Sequence, residues 1–245
     1  MADALKRLEG HPLVELEVAS DAECRRARDE VHALRERWIS RDHRAPFFTL
    51  GAASYIDAQY APDPRHYHSL ALAHNFVLRE RFGWLHQRLL DRLSEALGAP
   101  AYFARKMALP GFHIFLSHSA FEERVCSVHI DLQHNLLDWD PDEAVDRESP
   151  LSFTLPVAVP ASGAGLLIWN ATLADDAALA DPAFCRGWSL AHPPEHHRYR
   201  LGRMALHRGL SVHQIAPFQM AQPSDERITL QGHAIKSVHG WAVYW

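Results

Sequence analysis

The sequence predicts a mainly β fold with helices at its N-terminal end. Three patterns carry that expectation: apolar residues at helical spacing before residue 100, short alternating runs bounded by Gly, Pro and Asp after it, and a Pro110-Gly111 turn where one regime replaces the other. Ser20-Asp21-Ala22-Glu23 has the form of a capping box, in which serine and glutamate side chains satisfy backbone N–H groups reciprocally. The Cys24–Trp38 stretch that follows places Ala27, Val31, Leu34 and Trp38 on one helical face. A second helix is predicted from about Ser69 to Leu97, broken near Gly83 and closed by Gly98-Ala99-Pro100. Between them, the aromatic, Gly and Thr residues of Ala45–Tyr55 allow two readings: a cover over the mouth of a barrel, or packing of helices on a sheet.

Strands are predicted at Phe112–Ser117, Val125–Leu132, Leu151–Val159, Gly165–Trp169, Arg203–His207, Ser211–Ile215, Arg227–Ile235 and Trp241–Tyr244. About eight such strands fit a jelly roll. The longest weakly charged stretch, Leu155 to Ala174, contains Pro156, Pro160, Gly163 and Gly165 and reads as a hairpin, not a membrane span. With 245 residues, 47% of them hydrophobic, the chain is expected to form a single domain (1–245). Residues 1–100 would be its mainly helical part, packed on a jelly-roll core of residues 101–245. There is no internal repeat and no low-complexity tract.

Composition narrows the function. A net charge of −5 gives no basic footprint for nucleic acid. The first residues, Met1-Ala2-Asp3-Ala4-Leu5-Lys6-Arg7, form no apolar segment, so a cytoplasmic protein without a membrane partner is expected. Cys24, Cys126 and Cys185 are widely spaced, lack a Cys-x-x-Cys pair and read as reduced thiols, none of them a strong nucleophile.

The most informative triplet is His129-Ile130-Asp131. In an extended chain, residues i and i+2 point the same way, so one imidazole and one carboxylate can reach one metal ion. With 18 His and 30 acidic residues, roughly two His-x-acid triplets arise by chance, which makes the triplet alone a weak signal. Its context strengthens it: His129 alone among the histidines has an acid two residues later, and it lies in a β-like run. His213, in Leu210-Ser211-Val212-His213-Gln214-Ile215, is placed to complete a set of two histidines and one carboxylate, the ligand set of non-haem Fe(II) oxygenases. Farther on, Arg227, Thr229, Gln231 and His233 alternate with Ile228, Leu230, Gly232 and Ala234. Guanidinium grips a carboxylate through two parallel hydrogen bonds, so Arg227 with the Thr229 hydroxyl forms a carboxylate site.

The order His129-x-Asp131, His213, Arg227-x-Thr229 resembles the Fe(II)/2-oxoglutarate-dependent dioxygenase superfamily, over residues 102 to 245. The resemblance implies a double-stranded β-helix, a cupin-like jelly roll, with Fe(II) held by His129, Asp131 and His213. It implies 2-oxoglutarate held by Arg227 and Thr229, with O2 as the oxidant. Relatives without 2-oxoglutarate keep a similar Arg-x-Ser pair for a substrate carboxylate. The implied reaction is hydroxylation of an unactivated C–H bond of a small metabolite, amino-acid-like or a natural-product intermediate, by a monomer or homodimer. Asp131 stands where halogenases of the superfamily bind halide, which leaves hydroxylation, desaturation or ring formation. The alternatives are a protein side-chain hydroxylase and a catalytically silent metal-binding jelly roll.

Other residues invite a role. His113 shares a face with Phe115 and Ser117, and reads as a pocket or a structural histidine. Gln133 continues the face of Asp131 and reads as a ligand-orienting or an exposed amide. His207 rivals His213. His192, Glu195, His196 and His197 surround Pro193-Pro194 in an expected loop, and Trp139 opens the loop after the triplet, facing substrate or solvent. Arg105, Lys106, Arg124, Arg203 and Arg208 are candidate cationic contacts for a substrate.

Overall fold

The computed structural model describes residues 4–59, 63, 65–123, 125–219 and 222–245. The first hundred residues form α1 (Ala4–Gly10), β1 (Leu13–Glu17), α2 (Asp21–Ala33), β2 (Ile39–Ser40), β3 (Phe47–Leu50), α3 (Ser54–Asp57) and α4 (Arg65–Leu97). There follow β4 (Ala101–Phe103), β5 (Gly111–Leu116), α5 (Ala120–Glu123), β6 (Asp146–Ala158), β7 (Gly165–Thr172) and α6 (Pro182–Ala191). The chain ends with β8 (Glu195–Arg198), β9 (Arg203–Arg208), β10 (Ser211–Ile215), β11 (Glu226–Ser237) and β12 (Gly240–Tyr244).

The strands make two sheets. The larger runs β1-β9-β6-β11-β5-β3-β2, with β12 paired to the second half of β11 and to β4; the smaller is β10-β7-β8. Every pairing is antiparallel except β12 with β4. One face of the large sheet carries Phe153, Leu155, Leu206, Ile228 and Leu230, buried against Val31, Leu78, Leu85 and Leu89 of α2 and α4. Each such side chain contributes about 1.5–3 kcal/mol on burial. The opposite face meets the small sheet through Phe115, Ala205, Leu166, Ile168, Tyr199 and Phe218. The functional residues lie in this inter-sheet layer.

The capping box forms as predicted: Ser20 accepts from Glu23 N–H and the Glu23 carboxylate accepts from Ser20 N–H. The helix it opens ends earlier than expected, at Ala33, giving way to a 3₁₀ turn at Arg35–Arg37. The second helix is not broken at Gly83; α4 runs unbroken for 33 residues. Phe82, Leu85, His86 and Leu89 are buried on either side of that glycine, and their burial outweighs its helix cost of about 1 kcal/mol. Gly98, at φ +67°, closes the helix as predicted. The N-terminal part also supplies strands the sequence did not announce: β1 forms one edge of the large sheet and β2–β3 the other. The expected hairpin around Pro160 and Gly163 is a turn, with Gly163 N–H donating to Pro160 O at 2.8 Å, but β6 and β7 enter different sheets. Gly111 begins β5 because a Cβ there would lie 2.2 Å from the Trp245 ring and 2.5 Å from Leu50 O. Among the described residues no helix is long and apolar enough to cross a membrane, and no cysteine forms a disulfide.

Candidate metal centre

The predicted strand Val125–Leu132 is not a strand. It is an extended segment held by three backbone hydrogen bonds: a mutual pair between His129 and His213 at 3.0 and 2.9 Å, and Asp131 N–H to Gly209 O at 2.8 Å. Because alternate N–H groups at 129 and 131 dock on the β9–β10 turn and β10, the i, i+2 geometry survives without a ladder. Among the described residues, His129, Asp131 and His213 are the one group whose ligand atoms could share an ion, all within 4.8 Å of one another. His129 Nε2 lies 3.8 Å from Asp131 Oδ1, and His213 Nε2 lies 3.5 Å from Oδ2.

The imidazoles are oriented by the backbone. His129 Nδ1 donates to Ser127 O at 2.7 Å, and His213 Nδ1 to Ser211 O at 2.8 Å. In each ring the proton therefore sits on Nδ1, and Nε2 presents its lone pair. Burial pushes His213 down to about 3 and His233 to about 4, and lowers His207. Burial raises the Asp131 carboxyl, but the positive charge that His213, His233, His129 and His207 carry when protonated outweighs it and holds the group low. A free imidazole lone pair beside a carboxylate is what a divalent cation requires.

His207 lies beside the group, its ring 4.5 Å from that of His213, and is not part of it. One further residue escaped the sequence reading. Ser152 Oγ donates to Asp131 Oδ2 at 2.5 Å and contacts His233 Nδ1 at 2.9 Å. Gln133 reaches His233 Nε2 at 2.8 Å. The expected ligand-orienting role of Gln133 is thus indirect. His233 was visible through its alternation with Arg227, whereas nothing in the sequence singled out Ser152.

Arg227 and Thr229 are fully buried on the inner face of β11, opposite Phe115 and His113 of β5. Among the described residues the guanidinium Nε, Nη1 and Nη2 have no well-formed hydrogen bond, nor does the buried Tyr199 hydroxyl, which is the polar group beside them. The Arg227 Cζ sits 5.0, 5.4 and 5.7 Å from the Phe115, Tyr199 and Phe218 rings, and cation–π attraction offsets part of the desolvation. Thr229 Oγ1 accepts from Gln231 Nε2 at 2.9 Å, and Gln231 Oε1 from Thr154 at 3.0 Å. His113 is held neutral by burial, then by the charges of Arg227, Arg41 and His233; the Tyr55 hydroxyl bonds its Nε2 while its Nδ1 stays unpartnered. Tyr55 belongs to α3, which is fixed by a buried bidentate pair between Arg41 and Asp57 at 2.6 and 2.7 Å. So the Ala45–Tyr55 segment both packs on the sheet and reaches the interior.

The remaining candidates lie elsewhere. Trp139 is buried against Tyr244 rather than facing solvent, its Nε1 donating to His134 O at 2.8 Å. Glu195, His196 and His197 form β8 instead of a loop. Arg105 is exposed and Arg203 half-buried, and they reach Asp140 and Glu17. Lys106 is exposed, Arg208 shares the outer face of Met204 and Leu206, and Arg124 lies outside the described residues.

No protein-family model matches the chain, and no curated protein matches its sequence. Solved structures do match. An N-substituted L-amino acid dioxygenase from Burkholderia ambifaria AMMD superposes with a TM-score of 0.62 at 17% identity, over 99% of this chain and 90% of that one. The non-heme alpha ketoglutarate dependent epimerase SnoN from nogalamycin biosynthesis gives 0.55 at 16% identity, over 95% and 85%. The carbocyclase SnoK from the same biosynthesis gives 0.50 at 15%, over 98% and 87%. This chain therefore has the fold of the Fe(II)/2-oxoglutarate oxygenases. Within that fold, His129, Asp131 and His213 form its one candidate metal group among the described residues.

Proposed function

We propose that the protein is an Fe(II)- and 2-oxoglutarate-dependent oxygenase whose core is a double-stranded β-helix. His129, Asp131 and His213 would hold the iron, leaving the remaining positions open for cosubstrate and O2. The observation that carries the reading is Arg227: a fully buried guanidinium whose three nitrogens make no well-formed hydrogen bond among the described residues, in the same interior as the metal group. An isolated buried charge costs several kcal/mol, and a bound carboxylate removes that cost through bidentate hydrogen bonds. The distal carboxylate of 2-oxoglutarate fits this place, with the Tyr199 hydroxyl as a further donor and Thr229 beside it. The Burkholderia ambifaria dioxygenase, of the same fold, has been solved in complex with alpha-KG.

When bound, the iron supplies oxidising power toward an unactivated C–H bond. This chain's residues orient the two imidazoles, keep the carboxylate ionised and exclude water through the Phe115, Tyr199 and Phe218 rings. Hydroxylation of a small metabolite is the outcome we propose. The test is titration of 2-oxoglutarate into the anaerobic Fe(II) protein. A visible charge-transfer band is expected, with none in Asp131→Ala, and succinate should form with O2 across a panel of small metabolites. A protein that binds Fe(II) but shows neither band nor succinate would overturn the 2-oxoglutarate reading.

A further inference from the structure

Ser152 Oγ donates to Asp131 Oδ2 at 2.5 Å. The serine hydroxyl has one proton. Its 2.9 Å contact with His233 Nδ1 is therefore donated by the imidazole. The Gln133 amide nitrogen only donates; it lies 2.8 Å from His233 Nε2, which accepts, and 3.1 Å from Nδ1. Each hydrogen bond fixes the next, and all three point toward the carboxylate. The four residues are buried, at 4% to 8% exposure, so water does not compete for these groups. Their chain positions, 131 and 133 on one side and 152 and 233 on the other, tie the loop segment to adjacent strands β6 and β11.

The consequence falls on Asp131. Oδ2 is occupied by the serine, while no hydrogen bond from a described side chain reaches Oδ1, 3.8 Å from His129 Nε2. We propose that Ser152 is a positioning residue, oriented by His233 and Gln133, that engages Asp131 Oδ2 so that the carboxylate gives the metal one oxygen, Oδ1. This rests on the metal-site reading above. A carboxylate that gives one oxygen instead of two leaves a further position open, which a site that takes both cosubstrate and O2 requires.

The experiment is anaerobic Co(II) titration followed by visible absorption, on the full chain. Ser152→Ala should weaken Co(II) binding roughly ten- to a hundredfold and alter the band shape, because Oδ2 is released to the metal. Ser152→Thr, which keeps the hydroxyl, should restore both. His233→Leu should fall between Ser152→Ala and wild type, and Gln133→Leu should lose severalfold at most. Melting of the metal-free proteins reports folding; were Ser152→Ala unfolded, His233→Leu would carry the test, with unchanged affinity and spectrum counting against the proposal. Unchanged affinity and spectrum in Ser152→Ala, with binding abolished in Asp131→Ala, would overturn this inference alone. Unchanged binding in Asp131→Ala would overturn the metal-site reading and this inference with it. Failure of Ser152→Thr to restore either property would show that the hydroxyl is not the cause.

Discussion

The two faces of β11 are equally dry and chemically opposite. Outward, Ile228, Leu230 and Ala234 are fully buried in the core beneath α2 and α4. Inward, Arg227 and Thr229 are buried as completely, with His233 nearly so. Burial on the outer face stabilises the fold, whereas on the inner face it strips water from a guanidinium and an imidazole. A strand of twelve residues thus separates stability from chemistry by alternation alone. Substitutions outside should change unfolding and spare the ligands; substitutions inside should do the reverse.

The sharpest break is at the metal. His129→Ala and His213→Ala should each abolish Fe(II) binding in equilibrium dialysis, since two ligands remain where three are needed. Stoichiometric binding in either variant would place the ion elsewhere. Next, on the outer face, Leu230→Ala should cost about 2–5 kcal/mol, as buried leucines do. Urea denaturation of the metal-free protein measures this, and Fe(II) affinity should not move. A stability loss below about 1 kcal/mol would mean that the helix layer is not what holds β11.

Arg227→Met is the mirror experiment. It keeps an apolar stem and deletes the charge, so 2-oxoglutarate should bind roughly a hundredfold more weakly, about 3 kcal/mol. Stability of the metal-free protein should be unchanged or higher, because an unpaired buried charge has been removed. Arg227→Lys should recover only part of the affinity, a point charge replacing a two-pronged donor. Unchanged 2-oxoglutarate affinity in Arg227→Met would assign the arginine to the substrate or to the fold.

The outer layer has its own pH limb. His86 of α4 is fully enclosed, donates from Nε2 to Pro110 O at 2.9 Å, and is pushed by burial down to about 4. Its folded pKa lies below the ordinary value near 6.5, so the unfolded chain binds more protons between the two. Its contribution is complete above about 6.5 and is lost as pH falls toward 4. His86→Gln should flatten the urea midpoint across that window without altering Fe(II) affinity at pH 7. A wild-type midpoint that does not fall between pH 6.5 and 4 would contradict this.

What was legible follows the same division. The apolar periodicity of Ile228, Leu230 and Ala234 against Arg227, Thr229 and His233 was open to reading, because alternation is a local property. His129 and Asp131 were legible for the same reason, although the segment carrying them makes isolated bridges instead of a ladder. The strands β1 and β3 were not, because their identity depends on partners, β9 and β5, that lie about 190 and 65 residues away in the chain. The continuity of α4 through Gly83 was hidden likewise, since packing on both sides overrides one poor helix former. Ser152 could not be found, because a serine in a strand becomes informative only when the loop from 129 to 135 is brought over it.

The smallest predicted effect separates two adjacent histidines. His207 and His213 lie on consecutive strands of different sheets with rings 4.5 Å apart, and the sequence favoured His213 over its rival only by its spacing to Arg227 and the residues that follow it. The backbone distinguishes them: His213 exchanges two hydrogen bonds with His129, which brings its Nε2 to the carboxylate, whereas His207 pairs with Ser152 on β6 and Leu13 on β1. His207 Nδ1 donates to Arg208 O at 2.9 Å, so its ring is held in the wall beside the group. His207→Ala should therefore leave one Fe(II) bound, with affinity reduced less than about tenfold as the His213 ring loses a neighbour. His207→Phe, which restores the packing without a donor, should bind more tightly than His207→Ala. If His207→Ala abolished binding and His213→Ala preserved it, the site would be organised around β9 instead of β10. The inner face would then need to be redrawn from the metal outward.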